Sequence, residues 1–508
     1  MEYSFSSVNI ELLDLCQTIN CLALEKESLE QELAESQKRN QWFEEQIKLG
    51  KQRQFGKKTE ANLLQLSLLF DGLEEIPEEK PNPPKVQTIT YNRCYSQGRR
   101  IDTSKLERER VVHDLTTEEK TCKCCGKELE KIGEDISEQL EYIPASVKVI
   151  EHVCPKYTCR LCSTVSMAHK PEVPIAKCLA AASLITEVII SKYDHHLPLY
   201  RQAKIFLQDG IDIPANTLGN WIMQAGTLLL PLQKALWQQL DQVNILQADE
   251  TPVTLLSMKK QGYMWAYHSL VKQNRFILFE YNNSRSGEVV NKRLANYRGY
   301  LQSDGYGGYN KIRAKQEVIP IGCWAHCRRH FADVIKICGS GKAQEAINYI
   351  HQLYEIERNA KELDFTERRK MRKEQAKPIL QDLKLWLEQT EHEVPPQSTI
   401  GKAIAYARSQ WSYLAAYAEY GEPEIDNNLV ENQIRPFAIG RKNWLFIGNE
   451  KSANIASLLY TLIQTCKLND INPRTYLIYV LNQVHKLRRY QIDPITLLPQ
   501  FIDKKLLA

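Results

Sequence analysis

The sequence lacks a strong charge of either sign, a dense set of cysteines and a long apolar run. Its 508 residues carry 66 Lys and Arg against 62 Asp and Glu, which argues against a uniformly basic nucleic-acid coat. Fourteen Cys are too few for a secreted disulfide scaffold. The most apolar stretch, 178–190, is interrupted by Thr186 and Glu187 and is shorter than the roughly 18 to 20 residues of a membrane span.

The N-terminus, MEYSFSSVNIELLD, has acidic residues and no basic segment leading into an apolar run. We therefore expect no signal peptide, no membrane partner and a soluble protein of a reducing, cytoplasmic compartment. The composition, 43% hydrophobic and 25% charged, is that of a globular protein of about three or four domains.

The near-neutral average hides segregated charge. Residues 431–508 carry 11 Lys and Arg against 5 Asp and Glu, although the whole chain has a formal net charge of only +4. A second basic run, KQRQFGKKTE, occupies residues 51–60. Near-neutrality therefore does not exclude DNA as a partner, and these two segments are where we expect contact.

The first fifty residues have apolar side chains at alternating spacings of three and four. Eight of the eleven seam positions between Leu12 and Ile47 are apolar, and Lys26 and Asn40 are polar residues at a positions. This pattern predicts a coiled coil, in which polar a residues fix register and strand number, and hence a homodimer. A helix that packs on its own chain is the alternative.

A linker and a change from helical to strand pattern follow. The segment DGLEEIPEEKPNPPK, near residue 75, cannot propagate a helix or a central strand. Residues 180–240 have helical spacing, and from Val243 three β-rich runs, the helix SGEVVNKRLANY and a further strand indicate an α/β core. Phe331 to about Gln389 is charged and helical.

The helical stretch has helix-turn-helix proportions. Leu199 to Gln208 and Pro214 to Gln224 are predicted helices joined by the turn 209–212, which contains Gly. The second helix opens with polar side chains: Asn216, Thr217 and Asn220. Recognition of DNA is one interpretation, and a helical hairpin that does not touch DNA is the other.

Seven of the cysteines lie between Cys94 and Cys162, and four of them form two C-x2-C pairs with 33 residues between the pairs. Such knuckles present four thiolates tetrahedrally to one ion, so we predict a structural Zn²⁺. The predicted ligands are Cys122, Cys125, Cys159 and Cys162. Cys124 and Cys154 could each replace one of them, and unligated buried cysteines are the alternative.

Two strand-like runs end in Asp, since Asp249 closes NILQAD and Asp304 closes GYLQSD 55 residues later. Two carboxylates at the ends of adjacent strands can hold two hard divalent cations about 3.5 to 4 Å apart. Candidates for a third carboxylate are Glu422, Glu424, Asp426 and Glu431. We predict Asp426 as a helix N-cap and choose Glu431, about a turn and a half into that helix. Ordinary strand-end and surface carboxylates are the alternative.

Basic residues accompany these acids. GCWAHCRRHF runs from a strand into a helix and brings His326, Arg328 and Arg329 together for phosphate positioning. A second zinc site from Cys323-His326 and Cys327-His330, or plain packing, is the alternative. After Glu431, a further set of side chains predicts a DNA-facing surface: Arg435, Arg441, Lys442, Asn443 and Trp444.

These strings, in this order, resemble the transposases of the insertion-sequence-66 type from about residue 40 to residue 500. The strings are FGKKTE, the C-x2-C pairs, ADETPV, YLQSDGYGGYN, GCWAHCRRHF, DNNLVENQIRP and IGRKNWLF. The resemblance implies a multidomain α/β protein with a ribonuclease H-like catalytic core. Asp249, Asp304 and Glu431 would be its Asp-Asp-Glu triad and would bind two Mg²⁺ or Mn²⁺ ions.

The resemblance also implies an N-terminal zipper region, a zinc-binding domain and a C-terminal extension, and together with the sequence pattern it gives an expected domain order. We expect a coiled coil at 1–70, a linker at 71–110, the zinc module at 111–174 and a helical segment with a candidate DNA-binding helix-turn-helix at 175–240. The catalytic domain follows at 241–450, with a helical insertion at about 331–420, and a C-terminal helical extension at 451–508.

The implied activity is that of a prokaryotic, nucleoid-associated DNA transposase, which cuts the ends of its element and joins the 3′-hydroxyls to target DNA. Its implied partners are terminal inverted repeats, target DNA, at least one further copy of the chain, and helper proteins encoded by the same element. Two alternatives are a non-catalytic zinc and coiled-coil DNA-binding regulator, and a ribonuclease H-like nuclease without strand transfer.

Overall fold

A computed structural model of the chain describes residues 25–33, 35–37, 39–40, 43–44, 47, 147–154, 156–158, 165–167, 172–257, 260–339 and 341–507. The chain divides into two compact units, one formed by residues 1–57 with 171–508 and the other by residues 58–170. The predicted linker, the basic run at 51–60 and the four predicted zinc ligands lie outside the described residues. Cys154 is described and is a free thiol.

The described residues between 25 and 47 are helical. Their apolar seam is more than half exposed in the single chain, and its members are Leu29, Leu33, Phe43 and Ile47. An uncovered apolar stripe is what one strand of a coiled coil presents before it pairs. In the second unit, β1 (Lys156–Thr158) and β2 (Val165–Met167) form an antiparallel hairpin.

Within residues 172–257, three α-helices lead into the central sheet: α1 (Ala182–Tyr193), α2 (Leu199–Gln208) and α3 (Ala215–Gln239). Gly210 has φ +82° in the turn before α3, a conformation that glycine adopts without strain. The helix after the turn is longer than the predicted segment ending at Gln224. It continues because Leu229, Leu232 and Leu236 are buried at helical spacing on either side of Pro231.

The sheet has five strands in the order β5-β4-β3-β6-β7. Its elements are β3 (Ile245–Leu255), β4 (Lys260–Ser269), β5 (Ile277–Asn282), α4 (Gly287–Arg293), β6 (Gly299–Gln302), α5 (Asn310–Arg313) and β7 (Val318–Ile321). β4 is antiparallel to both neighbours, whereas β3, β6 and β7 are parallel. The predicted succession of three strands, a helix and a further strand is confirmed.

Asp249 does not lie at the end of its strand, which corrects the prediction. β4 pairs with β3 as far as Leu255, and Asp249 lies opposite Ala266. The parallel partner β6, however, stops at Gln302, opposite Gln247. Asp249 therefore lies within β3, beside the place where the parallel part of the sheet ends.

Six helices follow the last strand: α6 (Trp324–Cys338), α7 (Gly341–Asn359), α8 (Phe365–Met371), α9 (Lys377–Glu393), α10 (Thr399–Ser409) and α11 (Trp411–Ala416). They enclose a core of their own, separate from the main core under the sheet. Buried Arg372 lies in that core, where it donates to Glu357 at 2.6 and 2.8 Å, so its charge is paired.

Three helices complete the described chain: α12 (Asn428–Trp444), α13 (Glu450–Leu468) and α14 (Pro473–Arg488). α13 packs along the edge strand β5, where Thr461 Oγ1 accepts from Phe279 N at 2.9 Å. This contact covers a sheet edge that would otherwise be open to pairing. Among the described residues, none of the helices is both long and apolar enough to cross a membrane.

Candidate active site

Two buried glutamines join β3 and β6 where the parallel part of the sheet ends. Gln247 and Gln302 are register partners, and Gln247 Nε2 donates to Gln302 Oε1 at 2.9 Å. Gln302 Nε2 donates onward to Gly322 O at 3.2 Å and to Glu424 O at 2.8 Å. Each amide is thus paired in the core, where an unpaired polar group would be costly.

The same amides fasten the start of α12 to the sheet. Gln247 Nε2 also donates to Asp426 O at 2.9 Å, and its Oε1 accepts from Val430 N at 3.0 Å. Val430 N is one of the helix N-terminal N–H groups that lack an intrahelical partner. Asn427 Nδ2 adds a bond to Ala248 O at 3.0 Å. The helix that carries Glu431 is therefore held against β3 at two points.

This scaffold places the three predicted carboxylates within electrostatic reach of one another. Asp249 lies two residues beyond Gln247 in β3, so both side chains face the same side of the sheet, and Asp304 lies two residues beyond Gln302, after the end of β6. Glu431 follows Val430, the residue bonded to Gln247. All three carboxylates are half-buried.

Their charges act on one another. Burial raises the pKa of Asp249 well above its ordinary value, and the negative charges of Glu250, Glu431 and Asp304 raise it further. Burial also raises the pKa of Glu431, and Asp304 adds to the effect while Arg329 opposes it. Glu431 Oε1 is buried without a hydrogen-bond partner. Carboxylate oxygens are the donors that hard divalent cations such as Mg²⁺ or Mn²⁺ prefer, and a bound cation would offset the charges that raise these pKa values.

The helix cap is not the one predicted. The N-cap of α12 is Asn427, not Asp426, so Glu431 lies in the first turn instead of a turn and a half into the helix. Asp426 instead accepts from Asn428 N at 3.0 Å and from the Tyr354 hydroxyl at 2.7 Å. The physical reason is that Gln247, which lies in β3, accepts from Val430 N, the helix N–H group that an N-cap side chain would otherwise satisfy.

A fourth carboxylate, Glu250, is adjacent in sequence but is paired. It is 9% exposed and accepts from Arg285 Nε and from the Tyr309 hydroxyl, both at 2.8 Å. The Arg285 guanidinium lies over the Tyr306 ring at 4.1 Å. Glu250 therefore has cation and hydroxyl partners that Asp249 lacks, a difference that the Asp-Glu doublet in the sequence does not reveal.

The GCWAHCRRHF segment reaches the site through the first turn of α6. His326 Nδ1 lies 3.2 Å from Cys323 Sγ and 3.7 Å from Glu431 Oε1. Burial, with help from Arg329, lowers the pKa of His326 to about 4, so the imidazole is neutral at pH 7. The ligand atoms of Cys323, His326 and Glu431 all lie within 4.8 Å of one another.

The other pair of the alternative zinc site points elsewhere. Cys327 is buried, and burial raises the pKa of its thiol to about 12. The His330 ring packs on Tyr406, with the ring centroids 4.2 Å apart. Within the described part of the chain, neither residue belongs to a group of three or more ligand-type side chains close enough to share an ion. The two overlapping pairs therefore do not converge.

The predicted DNA-facing residues occupy different surroundings. Arg329 lies 3.7 Å from Glu431 Oε2, and half-buried Arg435 also lowers the pKa of Glu431. Arg328 is half-buried, and its charge interacts with Tyr354. Arg441 donates to Thr251 Oγ1 at 3.2 Å and to Pro252 O, which fastens the end of α12 to β3.

Two predicted residues and one aromatic complete that set. Lys442 is exposed, and Asn443 Nδ2 donates to Ile439 O at 3.5 Å. Trp444 packs on Phe437 with ring centroids 5.5 Å apart, so its ring belongs partly to the core.

The raised pKa values predict a pH-dependent cost of folding. Because the folded-state pKa of Asp249 exceeds its unfolded value, ionising it destabilises the folded chain. That cost is absent below about pH 4 and grows as pH rises through the raised pKa. We therefore expect Asp249→Asn to match wild type near pH 4 and to unfold at higher denaturant concentration at pH 7, without added Mg²⁺ or Mn²⁺.

Urea unfolding of both proteins across this pH range would measure the difference, with exposed Asp241→Asn as the matched control. Mn²⁺ at about 100 times its dissociation constant should stabilise wild type by about 2.7 kcal/mol and the variant by much less. Parallel pH curves for wild type and Asp249→Asn would contradict the expectation.

Family models and curated relatives match most of the chain. The model described as Transposase IS66 family matches residues 177–455, and the zinc-finger binding domain of transposase IS66 matches 119–163. The IS66 C-terminal element matches 461–495, and a model described as Transposase C of IS166 homeodomain matches 42–111.

Two curated relatives come from Sinorhizobium fredii. Uncharacterized protein y4hP is 33% identical over 418 residues, which cover 77% of this chain and 75% of the relative. Uncharacterized protein y4jD is 32% identical over 388 residues, which cover 73% and 76%. With a single family model spanning residues 177–455, more than half of its length, the chain belongs to the IS66 family of transposases.

Proposed function

We propose that the protein is a metal-dependent DNA transposase that cleaves the ends of an insertion sequence and joins the freed 3′-hydroxyls to target DNA. The observation that carries the proposal is the electrostatic coupling of three half-buried carboxylates: besides burial, the charges of Glu431 and Asp304 raise the pKa of Asp249, and the charge of Asp304 raises the pKa of Glu431. Carboxylates whose pKa values are raised by burial and by neighbouring negative charge are candidates for a cation-binding site.

The sheet supports a ribonuclease H-like core. Its order β5-β4-β3-β6-β7 combines an antiparallel three-strand meander with two parallel strands added beside β3. Asp249 on the central strand and Asp304 after its parallel neighbour then lie at the carboxyl end of the parallel part, where ligands of α/β sheets bind. The helical insertion between β7 and α12 returns the chain so that Glu431 faces the same end.

The three carboxylates would hold two Mg²⁺ or Mn²⁺ ions. When bound, such ions stabilise the negative charge that develops on the attacking, leaving and equatorial phosphoryl oxygens. Arg329 and Arg435 flank Glu431 and would orient the DNA phosphate, while neutral His326 adds no competing charge. Tyr309, the buried hydroxyl nearest to Glu250, donates to that carboxylate and is not placed as a nucleophile.

The remaining parts fit the handling of DNA ends. We propose that the residues predicted above contact DNA: His326, Arg328, Arg329, Arg435, Arg441, Lys442 and Asn443. The α2–α3 hairpin exposes Asn216 and Asn220 and would read the terminal inverted repeats. The four-Cys zinc module, a coiled-coil dimer and helper proteins of the element, in the cytoplasm at the nucleoid, complete the proposal.

One assay separates this proposal from its rivals. Purified full-length protein is incubated with labelled terminal inverted repeats, unlabelled target DNA and Mn²⁺, with a reaction lacking divalent cation as control. We expect nicked ends and larger joined products that depend on the cation. Nicks without joined products would indicate a nuclease, and a mobility shift without any nick would indicate a regulator.

A further inference from the structure

A second donor set shares Glu431 with the proposed catalytic carboxylates. Cys323 lies just before α6, His326 lies in its first turn, and Glu431 lies in the first turn of α12. One sulfur, one imidazole nitrogen and one carboxylate oxygen lie within 4.8 Å of one another. The two helix starts, 105 residues apart along the chain from His326 to Glu431, meet at this point.

We propose that Cys323, His326 and Glu431 form a binding site for a thiophilic transition-metal ion, and that the ion it binds is Zn²⁺. Thiolate, imidazole and carboxylate are the three ligand types that Zn²⁺ takes, with a tetrahedral fourth position left for water. Mg²⁺ and Mn²⁺ prefer oxygen and are not drawn to a thiolate. Metal binding at this site does not depend on the proposed function. Only its effect on cleavage rests on that function, because the site and the triad share Glu431.

The surroundings are arranged for that ion. Burial and the negative charges of Asp426 and Glu431 raise the pKa of the Cys323 thiol, so a bound metal ion would have to displace its proton. Asn427 N donates to Cys323 Sγ at 3.2 Å, a contact that favours the thiolate once it forms. Asn427 is itself fixed to Ala248 O at 3.0 Å. Glu431 Oε1, the oxygen facing His326, has no hydrogen-bond partner, whereas Oε2 faces Arg329 at 3.7 Å. The donor atoms are therefore oriented, and one of them lacks any other partner.

Sharing Glu431 has a functional consequence. An ion held by Cys323 and His326 takes Glu431 Oε1 and withdraws the third carboxylate from the pair of hard cations. Zn²⁺ is then an inhibitor that competes with Mn²⁺ through this residue, separate from any zinc held by the four-Cys module. Cleavage would be suppressed while free zinc is high and restored when it is chelated.

The first test counts metal and needs no activity. Full-length wild type, Cys323→Ser and Cys327→Ser are loaded with Zn²⁺, passed through a desalting column and analysed for zinc per chain. Cys327→Ser is the matched control because its thiol is also buried, four residues further along inside α6, and lies outside the donor group. We expect Cys323→Ser to hold one zinc equivalent less than both other proteins.

Loading with Co²⁺ gives an independent reading. Wild type minus Cys323→Ser should show a thiolate-to-cobalt absorption band, and wild type minus Cys327→Ser should show none. Equal zinc content and identical cobalt spectra in wild type and Cys323→Ser would overturn the proposal. Circular dichroism melts confirm that each variant compared is folded, and His326→Gln provides a second variant that should lose the same equivalent.

The second test separates this inference from the proposed function. Zinc is titrated into the Mn²⁺-dependent nicking assay, and each variant is normalised to its own zinc-free rate. We expect Cys323→Ser to need at least about 10-fold more Zn²⁺ for half inhibition than Cys327→Ser. Equal inhibition of both would refute the competition. A wild-type protein that binds the extra zinc yet never nicks would instead refute the proposed function and leave the metal site standing.

Discussion

Asp249→Asn is expected to lower end cleavage by roughly 1000-fold, and Asp304→Asn and Glu431→Gln by similar factors. Each change removes a charged oxygen from a site whose proposed cations stabilise the transition state by several kcal/mol, and about 4 kcal/mol corresponds to a factor of 1000. The rate of nicking on labelled inverted repeats with Mn²⁺ measures the loss.

Two controls make this result specific. Asp241→Asn changes the same atoms at an exposed position before the sheet and should leave the rate within about 2-fold of wild type. A mobility shift with the same DNA should be preserved in Asp249→Asn, since the change removes a metal ligand and no base contact. An Asp249→Asn protein that nicks at the wild-type rate would remove this residue from the triad.

The three losses should not add. Groups that act as one unit give nearly the full loss when any one is removed, so Asp249→Asn with Asp304→Asn should be little slower than the slower single variant. Independent contributions would instead multiply the two factors. Because Asp249→Asn is also expected to stabilise the metal-free chain at pH 7, its inactivity could not be attributed to unfolding.

Local pattern in the sequence was sufficient to nominate the three acids as candidates, but it did not indicate which residues hold them in place. The two runs NILQAD and GYLQSD place an Asp at the same distance beyond a glutamine, and the two glutamines are paired in register on neighbouring strands. The glutamines themselves received no role from the pattern. Their partners are Asp426, 179 residues from Gln247, and Glu424, 122 residues from Gln302. Contacts at that separation depend on tertiary packing, which periodicity does not encode.

The two corrections have the same origin. The position of Asp249 inside β3 depends on pairing with β4, a partner that the run NILQAD does not contain. The cap of α12 depends on Gln247 reaching across from β3. Both features are set by a second segment of the chain. The sequence signal that could have indicated them is the repeated Leu-Gln-x-Asp pattern, and not the identity of a capping residue or of a strand end.

Gln247→Leu is expected to reduce cleavage by roughly 100-fold without touching a carboxylate. The leucine would leave three buried groups unpaired: Asp426 O, Val430 N and Gln302 Oε1. Each such group costs about 1 to 3 kcal/mol, so we expect a loss of about 3 to 9 kcal/mol in unfolding free energy. The start of α12 would shift, and a displacement of about 1 Å at a reacting centre can cost 100-fold in rate.

Gln464→Leu is the matched control for this prediction, because Gln464 is also a buried glutamine but its Nε2 has no partner. Its replacement should leave both stability and cleavage close to wild type. The decisive measurement is the Mn²⁺ concentration for half-maximal nicking, taken well below the melting temperature of both variants. Displacing Glu431 should raise this Mn²⁺ concentration in Gln247→Leu only. General destabilisation would lower the amount of active protein and leave the Mn²⁺ concentration for half-maximal nicking unchanged. An unchanged Mn²⁺ requirement in Gln247→Leu would mean that the glutamine pair stabilises the sheet and does not position Glu431.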